Sequence, residues 1–168
     1  MAASTAFALP PPPGRTEDLR RWSAELLEAI TALARAVEVR DRYTGAHVQR
    51  VGRYSRKIGQ ALGLPAEHLW PLHVGAVLHD VGKIGVPDAV LGKEGPLTAE
   101  EWAVLRRHPE IGHELLRGVS ALAPALDAVR HHHERWDGAG YPDGLAGRAI
   151  PLPGPPMAAS AAAPDAGP

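Results

Sequence analysis

The sequence predicts an all-α domain. Helix formers such as Ala, Leu, Glu and Arg are frequent among the 168 residues, whereas the chain has only one Phe and three Tyr. Apolar residues recur at helical spacing in several segments, and no segment shows the alternation that is typical of a half-buried strand. Hydrophobic residues make up 45% of the chain, which is enough for one buried core.

The first forty residues divide into an arm and a helix. Residues 1–15 are small, apolar and rich in proline, which predicts a disordered or polyproline-like arm. A long amphipathic helix is predicted over residues 16–40, with Thr16 as its N-cap. Its apolar stripe consists of Leu19, Trp22, Leu26, Ile30, Leu33 and Val37. Such a stripe packs either on the domain or on a second chain. The sequence therefore allows two interpretations, a linker helix and a homodimerisation helix.

Two more helices precede a loop. Thr44 is the predicted N-cap of the second helix, and Gly63 marks its end. The third helix begins after Pro65 and is expected to stop near Gly82. Residues 85–96, "GVPDAVLGKEGP", are rich in Gly and Pro and are read as loop.

The remaining helices are shorter. "TAEE", which starts at Thr98, is a capping box that opens a fourth helix, and Pro109 should kink or break it. A further helix is expected from about Leu122 to Arg135. Residues 137–156 contain too much Gly and Pro for regular structure.

Composition excludes several classes of function. The net charge of -1 argues against a nucleic-acid polymer or a membrane as partner, and no run resembles a signal peptide or a transmembrane helix. A solvated helix face explains Arg50, Arg53, Arg56 and Lys57 better than a phosphate-binding patch does. The chain has no cysteine, which excludes thiolate nucleophiles and Cys-ligated zinc and favours a cytoplasmic location.

Nine histidines are present, which is many for this length, and their positions are more informative about a functional site than their number. His79 and Asp80 end an apolar helix, and a buried carboxylate there needs a partner. Lys83 could form a purely structural ion pair with Asp80, or Asp80 could bind a metal ion. These residues alone leave both interpretations open.

The other histidines favour the metal. His132 and His133 follow the apolar face of a helix, and His108 and His47 stand near helix ends. Imidazole and carboxylate groups bind iron, manganese or zinc, and helix ends that converge on one cavity build metal sites in all-α folds. The histidines set aside as surface or supporting residues are His68, His73, His113 and His131.

Five segments in order resemble the HD-GYP domain, a branch of the HD phosphohydrolase superfamily. They are "YTGAH", "HDVGKIGVPD", "LTAEEW", "HPEIG" and "HHERWDGAGYPDGL", and the likeness runs from about Val39 to Pro153. The resemblance implies an HD-domain helical bundle that binds divalent transition metal ions, usually iron or manganese. It also implies hydrolysis of cyclic di-GMP to the linear dinucleotide and GMP.

Matching positions carry the family's roles onto this chain. Asp80 corresponds to the carboxylate that bridges two ions. One ion would be held by His47 and His79 and the other by His108, His132 and His133. Some members hold a third ion with a Glu where this chain has Tyr43, so that two ions are expected.

The catalytic and substrate-binding assignments also follow from the resemblance. Asp80 and Lys83 would be the catalytic residues, with Lys83 contacting the scissile phosphate. Gly140, Tyr141 and Pro142 would shape the substrate side of the pocket. Diguanylate cyclase or sensor proteins are expected as further partners.

The family pattern stops after "IPL". Members continue into a helix whose Asp completes the first metal's ligands, whereas residues 154–168 are an Ala-, Pro- and Gly-rich tail. We therefore expect residues 41–153 to form a partial HD-GYP domain, incomplete at its C-terminus through truncation or a change of reading frame near Pro153. A weakened enzyme, a non-catalytic cyclic di-GMP-binding or signalling module, and an inactive fragment are the alternatives.

Overall fold

The computed structural model describes the backbone of residues 16–41 and 47–153 and the side chains of residues 25–40 and 47–153. Within these ranges the chain is helical and forms no strand beyond an isolated bridge between Asp137 and Ala146. The α-helices in chain order are α1 (Thr16–Glu38), α2 (His47–Ala61), α3 (Ala66–Leu78), α4 (Asp88–Leu91), α5 (Ala99–Leu105), α6 (His108–Leu116) and α7 (Leu126–His131). The predicted all-α class is confirmed.

Helix α3 is the centre of the described domain. It packs against α1, α2 and α7, and its Val74 and Leu78 have no accessible surface. The buried core also takes in Ile30, Ala34, Val37, Val48, Val77, Val81, Leu116, Leu122, Ala125 and Val129. Because this core surrounds the end of α3, the residues that follow Leu78 emerge beside several other helix ends.

Helix α1 packs on the domain with part of the predicted stripe. Ile30, Ala34 and Val37 are buried, and their spacing places them on one face. Leu26 and Leu33 are 38% and 48% exposed, because they lie at the edge of that face, about 40° and 60° from Ile30 on the side away from Ala34. Of the four stripe residues whose side chains are described, Ile30 and Val37 are buried as predicted, whereas Leu26 and Leu33 are not, and the small Ala34 is buried in addition.

The described part of α1 does not test whether this helix forms a homodimer. Leu19 and Trp22 have side chains outside the described set, as do the N-cap at Thr44, the arm 1–15 and the tail 154–168. Dimerisation through α1 stays a prediction. In the described part of the chain, none of the helices has the length and apolar character needed to cross a membrane.

Local signals in the middle of the chain are confirmed with two corrections. Gly63 ends α2 with a φ of 72°, a conformation that suits glycine. The third helix ends at Leu78 rather than near Gly82, and a 3₁₀ turn, Val81–Gly85, replaces its last predicted turn. The segment read as loop contains the short helix α4, which follows Pro87.

The later helices are shorter than their patterns predict. The capping box is present: Thr98 Oγ1 accepts from the Glu101 amide at 3.3 Å, and Glu101 Oε2 accepts from the Thr98 amide at 2.7 Å. Pro109 lies in the first turn of α6, so that the expected break separates α5 from α6. The helix predicted over 122–135 is a 3₁₀ turn, Ser120–Ala125, followed by α7. Pro124 lies inside that turn, and α7 ends at His131.

Two glycines allow the chain to cross itself closely. A Cβ atom on Gly82 would overlap the carbonyl oxygen of His108 and the amide nitrogen of Gly112. The 3₁₀ turn after Asp80 therefore lies backbone to backbone against the start of α6. This contact places Asp80 directly beside His108.

Candidate metal centre

Three helix ends carry the predicted ligands to one place. His79 and Asp80 directly follow α3, and His108 is the first residue of α6. His132 and His133 lie in the turn after α7. Because α6 and α7 pack against each other and α7 packs against α3, these side chains meet at one end of the bundle.

The Asp80 carboxylate is the centre of this cluster. Its Oδ1 lies 3.2 Å from His108 Nε2 and 3.9 Å from His132 Nε2. Its Oδ2 lies 3.2 Å from His79 Nε2 and 2.9 Å from Lys83 Nζ. Each carboxylate oxygen thus faces a different set of nitrogen atoms, which is the arrangement that a bridging carboxylate requires.

Backbone hydrogen bonds orient three of the imidazoles. Each ring donates from Nδ1 to the carbonyl oxygen three residues earlier, at 2.8 Å for His79, 2.7 Å for His108 and 2.9 Å for His132. A carbonyl can only accept, so Nδ1 carries a proton, and each ring presents a bare Nε2 whenever it is neutral. A backbone carbonyl in this position is the usual outer partner of a metal-binding histidine.

The cluster has the donor set of a metal site. Nε2 of His108 and Nε2 of His132 lie 3.1 Å apart, and two bare nitrogens at this distance repel each other unless a cation lies between them. Burial and the neighbouring imidazoles lower the pKa of His132 to about 3, so that a proton is a poor candidate near neutral pH. A divalent transition metal ion suits these nitrogens and the adjacent carboxylate.

His133 completes a group of four. One ligand atom from each of Asp80, His108, His132 and His133 lies within 4.8 Å of the others. Burial and the surrounding positive groups lower the pKa of His133 to about 4. These four residues are the set that the sequence predicted for the second ion together with its bridging carboxylate.

The predicted first-ion residues are also neighbours, although they are spaced more widely. His47 begins α2, and its ring centroid lies 6.2 Å from that of His79. Both rings line a cavity of about 510 Å³ that lies between α2, α3 and α7. All six predicted ligands therefore lie in one cluster, while their individual roles stay predictions.

Electrostatics keep Asp80 ionised. Burial favours the neutral acid, but the side-chain contacts with His108 and His79, together with nearby positive charge, hold the pKa of Asp80 well below its usual range. For His79, burial alone lowers the pKa, but the hydrogen bond to Asp80 and its charge outweigh burial and raise the pKa above 6.5. The carboxylate is thus charged at any pH near neutral.

Lys83 reaches Asp80 by a different route from the expected one. A continuous helix was expected to place Lys83 on the same face as His79. Instead α3 ends at Leu78, and the 3₁₀ turn Val81–Gly85 carries the ammonium back to the carboxylate. The 2.9 Å contact is compatible with both the structural ion pair and a cation held beside the metal centre.

The predicted substrate-side loop borders the cluster. The Tyr141 ring stacks on His133, with ring centroids 4.5 Å apart and an interplanar angle of 18°. A Cβ atom on Gly140 would lie 2.5 Å from Glu134 Cα and 2.6 Å from the carbonyl oxygen of His133, so that only glycine fits there. The peptide bond between Tyr141 and Pro142 is cis.

Sequence reasoning missed the residues that fasten this loop. The Glu134 carboxylate accepts from the Asp143 amide at 2.7 Å and from the Leu145 amide at 2.9 Å. Asp143 accepts from Arg130 at 2.8 and 2.7 Å, and His131 Nε2 lies 3.0 Å from it. His131, which was interpreted from the sequence as a surface or supporting residue, therefore helps to anchor the loop. Only the folded loop brings these partners together, so that spacing along the chain contained no signal for them.

A cation at the rim was also missed. The Arg106 guanidinium carbon lies 5.3 Å from the Tyr141 ring centroid and 5.9 Å from that of Trp102. Both distances are within the range of cation–π contacts. This arginine is exposed and adds positive charge one ring away from His133.

Among the other histidines set aside, His68 has a clear structural role. It is buried, and its Nδ1 lies 2.9 Å from the carbonyl oxygen of Pro153. This contact ties the last described residue to α3.

Comparison with known proteins identifies the family. A family model described as HD domain matches residues 31–160. The chain is 48% identical, over 128 residues or 74% of its length, to the cyclic di-GMP phosphodiesterase response regulator RpfG of Xanthomonas campestris. It is 44% identical over 82% of its length to the 3′3′-cGAMP-specific phosphodiesterase 2 of Vibrio cholerae, and 40% identical over 77% to a cyclic di-GMP phosphodiesterase of Thermotoga maritima.

The chain spans about a third or less of these relatives. The matched part covers 34% of the Xanthomonas protein, 26% of the Vibrio protein and 35% of the Thermotoga protein. The residues matched by the family model, 31–160, include the segments that build the cluster and the loop beside it. The chain therefore belongs to the HD domain family, in its HD-GYP branch.

Proposed function

We propose that this chain is a metal-dependent phosphodiesterase that hydrolyses cyclic di-GMP to the linear dinucleotide and then to GMP. The observation that carries the proposal is the Asp80 carboxylate, whose two oxygens face separate groups of imidazole nitrogens. The names of the relatives support the same chemistry, since they are phosphodiesterases of cyclic dinucleotides. A location in the cytoplasm is part of the proposal.

Two divalent ions, iron or manganese, are the proposed cofactors. Asp80 would bind both. The remaining ligands would be His47 and His79 for one ion and His108, His132 and His133 for the other. Neutral imidazoles with an unprotonated nitrogen and an ionised carboxylate are the forms that bind such ions, so that metal binding would release any proton that His79 holds at its Nε2. When bound, two such ions lower the pKa of water at the site and neutralise charge on phosphate oxygens.

The protein groups have separate tasks in this proposal. The Nδ1 hydrogen bonds hold three imidazoles in fixed orientations, so that little reorganisation accompanies the reaction. Lys83 would donate to a non-bridging oxygen of the scissile phosphate, where negative charge grows in the transition state. Its contact with Asp80 keeps the ammonium at the edge of the cluster.

The loop would hold the rest of the substrate. Gly140, Tyr141 and Pro142 would form the wall beside the second ion, with the Tyr141 ring held against His133. Arg106 would contribute positive charge at the rim, where an anionic dinucleotide enters. Because the relatives include enzymes for cyclic di-GMP and for 3′3′-cGAMP, both compounds need to be assayed.

A second candidate is binding without turnover. The two histidines proposed for the first ion lie farther apart than two of those proposed for the second. The ring centroids of His47 and His79 are 6.2 Å apart, whereas those of His132 and His133 are 4.2 Å apart. A loosely held first ion would leave a module that binds cyclic di-GMP at the second ion and signals through a partner. Measurable affinity for cyclic di-GMP with no GMP formed would favour this alternative.

The test measures metal content and turnover on the same preparation. Purified chain loaded with Mn²⁺ should bind about two equivalents and release GMP from cyclic di-GMP. His79→Ala should lose both properties. His113→Ala is the matched control, because His113 lies outside the cluster, with its Nδ1 3.9 Å from Glu114. Full turnover in His79→Ala would contradict the proposal.

A further inference from the structure

We propose that Glu38, the last residue of α1, and Arg40, in the 3₁₀ turn Val39–Asp41 that follows it, are positioning residues that hold Lys83 and the start of α2 in register with each other. The inference deepens the proposed function and rests on it, because Lys83 is the group whose placement is at issue. Neither residue touches the cluster, and nothing in the sequence motifs distinguishes them from ordinary helix-end charges.

Arg40 fastens the backbone around Lys83. Its guanidinium donates to the carbonyl oxygens of Ile84 at 2.9 Å, Val86 at 3.2 Å and Lys83 at 3.5 Å. It also donates to Asp88 Oδ1 at 2.6 Å. One planar side chain thus binds the turn that carries Lys83 and the helix that follows it. The fixed fork of N–H groups in arginine makes this multiple contact possible.

The exposure of the ion pair indicates that geometry, rather than stability, is its main effect. The Arg40 side chain is 33% exposed, and the Asp88 side chain is 83% exposed. An ion pair in that setting contributes little to folding. The carbonyl contacts, however, restrict where the turn can lie, and Lys83 extends from that turn.

Glu38 fastens the start of α2. It is buried, with 6% of its surface exposed, and its Oε1 accepts from the Val48 amide at 2.8 Å. Val48 directly follows His47, so that this bond fixes the turn carrying a predicted ligand. Among the described residues, Glu38 Oε2 is buried and has no hydrogen-bond partner.

The two contacts converge on one small space. Glu38, Val48, Asp80 and Lys83 all line a cavity of about 10 Å³, which is close to the smallest space that holds one water molecule. A buried carboxylate oxygen without a partner is costly, and it is retained here in a cavity that the Asp80–Lys83 pair also lines. Only Val39 separates Glu38 from Arg40 in the chain. Any movement of the end of α1 therefore moves both fastenings together.

The first experiment compares Arg40→Ala and Arg40→Lys with Arg35→Ala. Arg35 lies on α1 and is exposed, so that it controls for loss of a positive charge on the same helix. In Mn²⁺-loaded protein, Arg40→Ala should lower kcat by about 10- to 100-fold with little change in metal content, because Lys83 is displaced. Arg40→Lys should restore part of the loss, because one ammonium can replace only one or two of the contacts. An unchanged kcat in Arg40→Ala would overturn the proposal.

The second experiment does not depend on activity. Hydrogen exchange of residues 81–88 and the rate of amine acetylation at Lys83, relative to Lys57 in the same digest, are measured by mass spectrometry. Both should rise in Arg40→Ala and stay at the wild-type level in Arg35→Ala. Lack of turnover in the wild type would refute the proposed function, while these two readouts would still decide whether Arg40 holds Lys83. No change in either would overturn the positioning role.

Glu38 is tested with a conservative pair. Glu38→Gln keeps the volume and an oxygen that can accept from the Val48 amide, whereas Glu38→Ala loses both. Glu38→Gln should fold like the wild type and keep the exchange rate of residues 47–50, and Glu38→Ala should raise that rate and reduce metal content. Equal metal content and exchange in both variants would overturn the assignment of Glu38.

Discussion

Replacing Asp80 with Asn removes one negative charge and almost no volume. In the wild type this carboxylate faces Lys83 Nζ at 2.9 Å and the Nε2 atoms of His79 and His108 at 3.2 Å each. An asparagine oxygen can still accept from Lys83, and its amide can donate to a bare imidazole nitrogen. The variant should therefore fold, but the Lys83 ammonium loses the negative charge of Asp80 beside it.

The size of the effect follows from burial. Removing one partner of a buried ion pair costs about 3–5 kcal/mol, and the lower end applies because the Asp80 side chain is 23% exposed. For a domain of this size, about 3 kcal/mol lowers the melting temperature by roughly 10 °C. Metal affinity should fall by at least about 100-fold and kcat/KM by about 1000-fold, since both ions share this ligand in the proposal.

The assay combines thermal unfolding of the metal-free protein, metal analysis after dialysis against Mn²⁺, and turnover of cyclic di-GMP. Asp127→Asn is the matched control, because Asp127 is exposed and lines the neighbouring cavity without joining the cluster. It should behave like the wild type in all three measurements. Two bound equivalents and near-normal turnover in Asp80→Asn would refute the bridging role and, with it, the reasoning from the two carboxylate oxygens.

Two further predictions use a titrating ring and a backbone contact. The pKa of His132 is about 3 in the folded protein, against 6.5 for the free side chain. Below pH 6.5 the unfolded chain therefore binds a proton at this residue that the folded chain does not bind. Between pH 7 and pH 5 this difference should lower the free energy of unfolding of the metal-free protein by about 2 kcal/mol. Denaturant titrations at both pH values check this, and an equal pH dependence in His132→Asn would contradict it. Gly140→Ala should destabilise the folded protein by about 1–3 kcal/mol, because the new methyl group meets the backbone of Glu134. Gly118→Ala is its control, since a Cβ atom there meets nothing within 4 Å, and equal melting temperatures for the two variants would rule out the proposed clash.

Local signals in the sequence were the most reliable ones. The capping box at Thr98 and the glycine at Gly63 depend on a few neighbouring residues, and both are present as predicted. The end of α7 was predicted four residues too late, at Arg135 rather than His131. Periodicity cannot locate such an end, because the loop that packs against α7 decides it through contacts with Arg130 and His131.

The cluster was predictable for a different reason. The ligand residues are types that rarely stand beside apolar helix faces without a purpose, and their motifs occur in a known order. Supporting residues such as Arg40 and Glu134 lack that signal, since charged residues are ordinary at helix ends and in loops. Their partners lie up to 48 positions away in the sequence, as for Arg40 and Asp88. Only the folded chain reveals those pairings.

The crossing of the turn at Gly82 over the start of α6 has a consequence for how this domain tolerates change. No side chain separates the two backbones there, since a Cβ atom on Gly82 would overlap the backbone of His108 and Gly112. The spacing between Asp80 and His108 is thus set by main-chain atoms, which are the same whatever residues surround them. An added methyl group at Gly82 would therefore push the two halves of the cluster apart, even though it lies outside every predicted ligand.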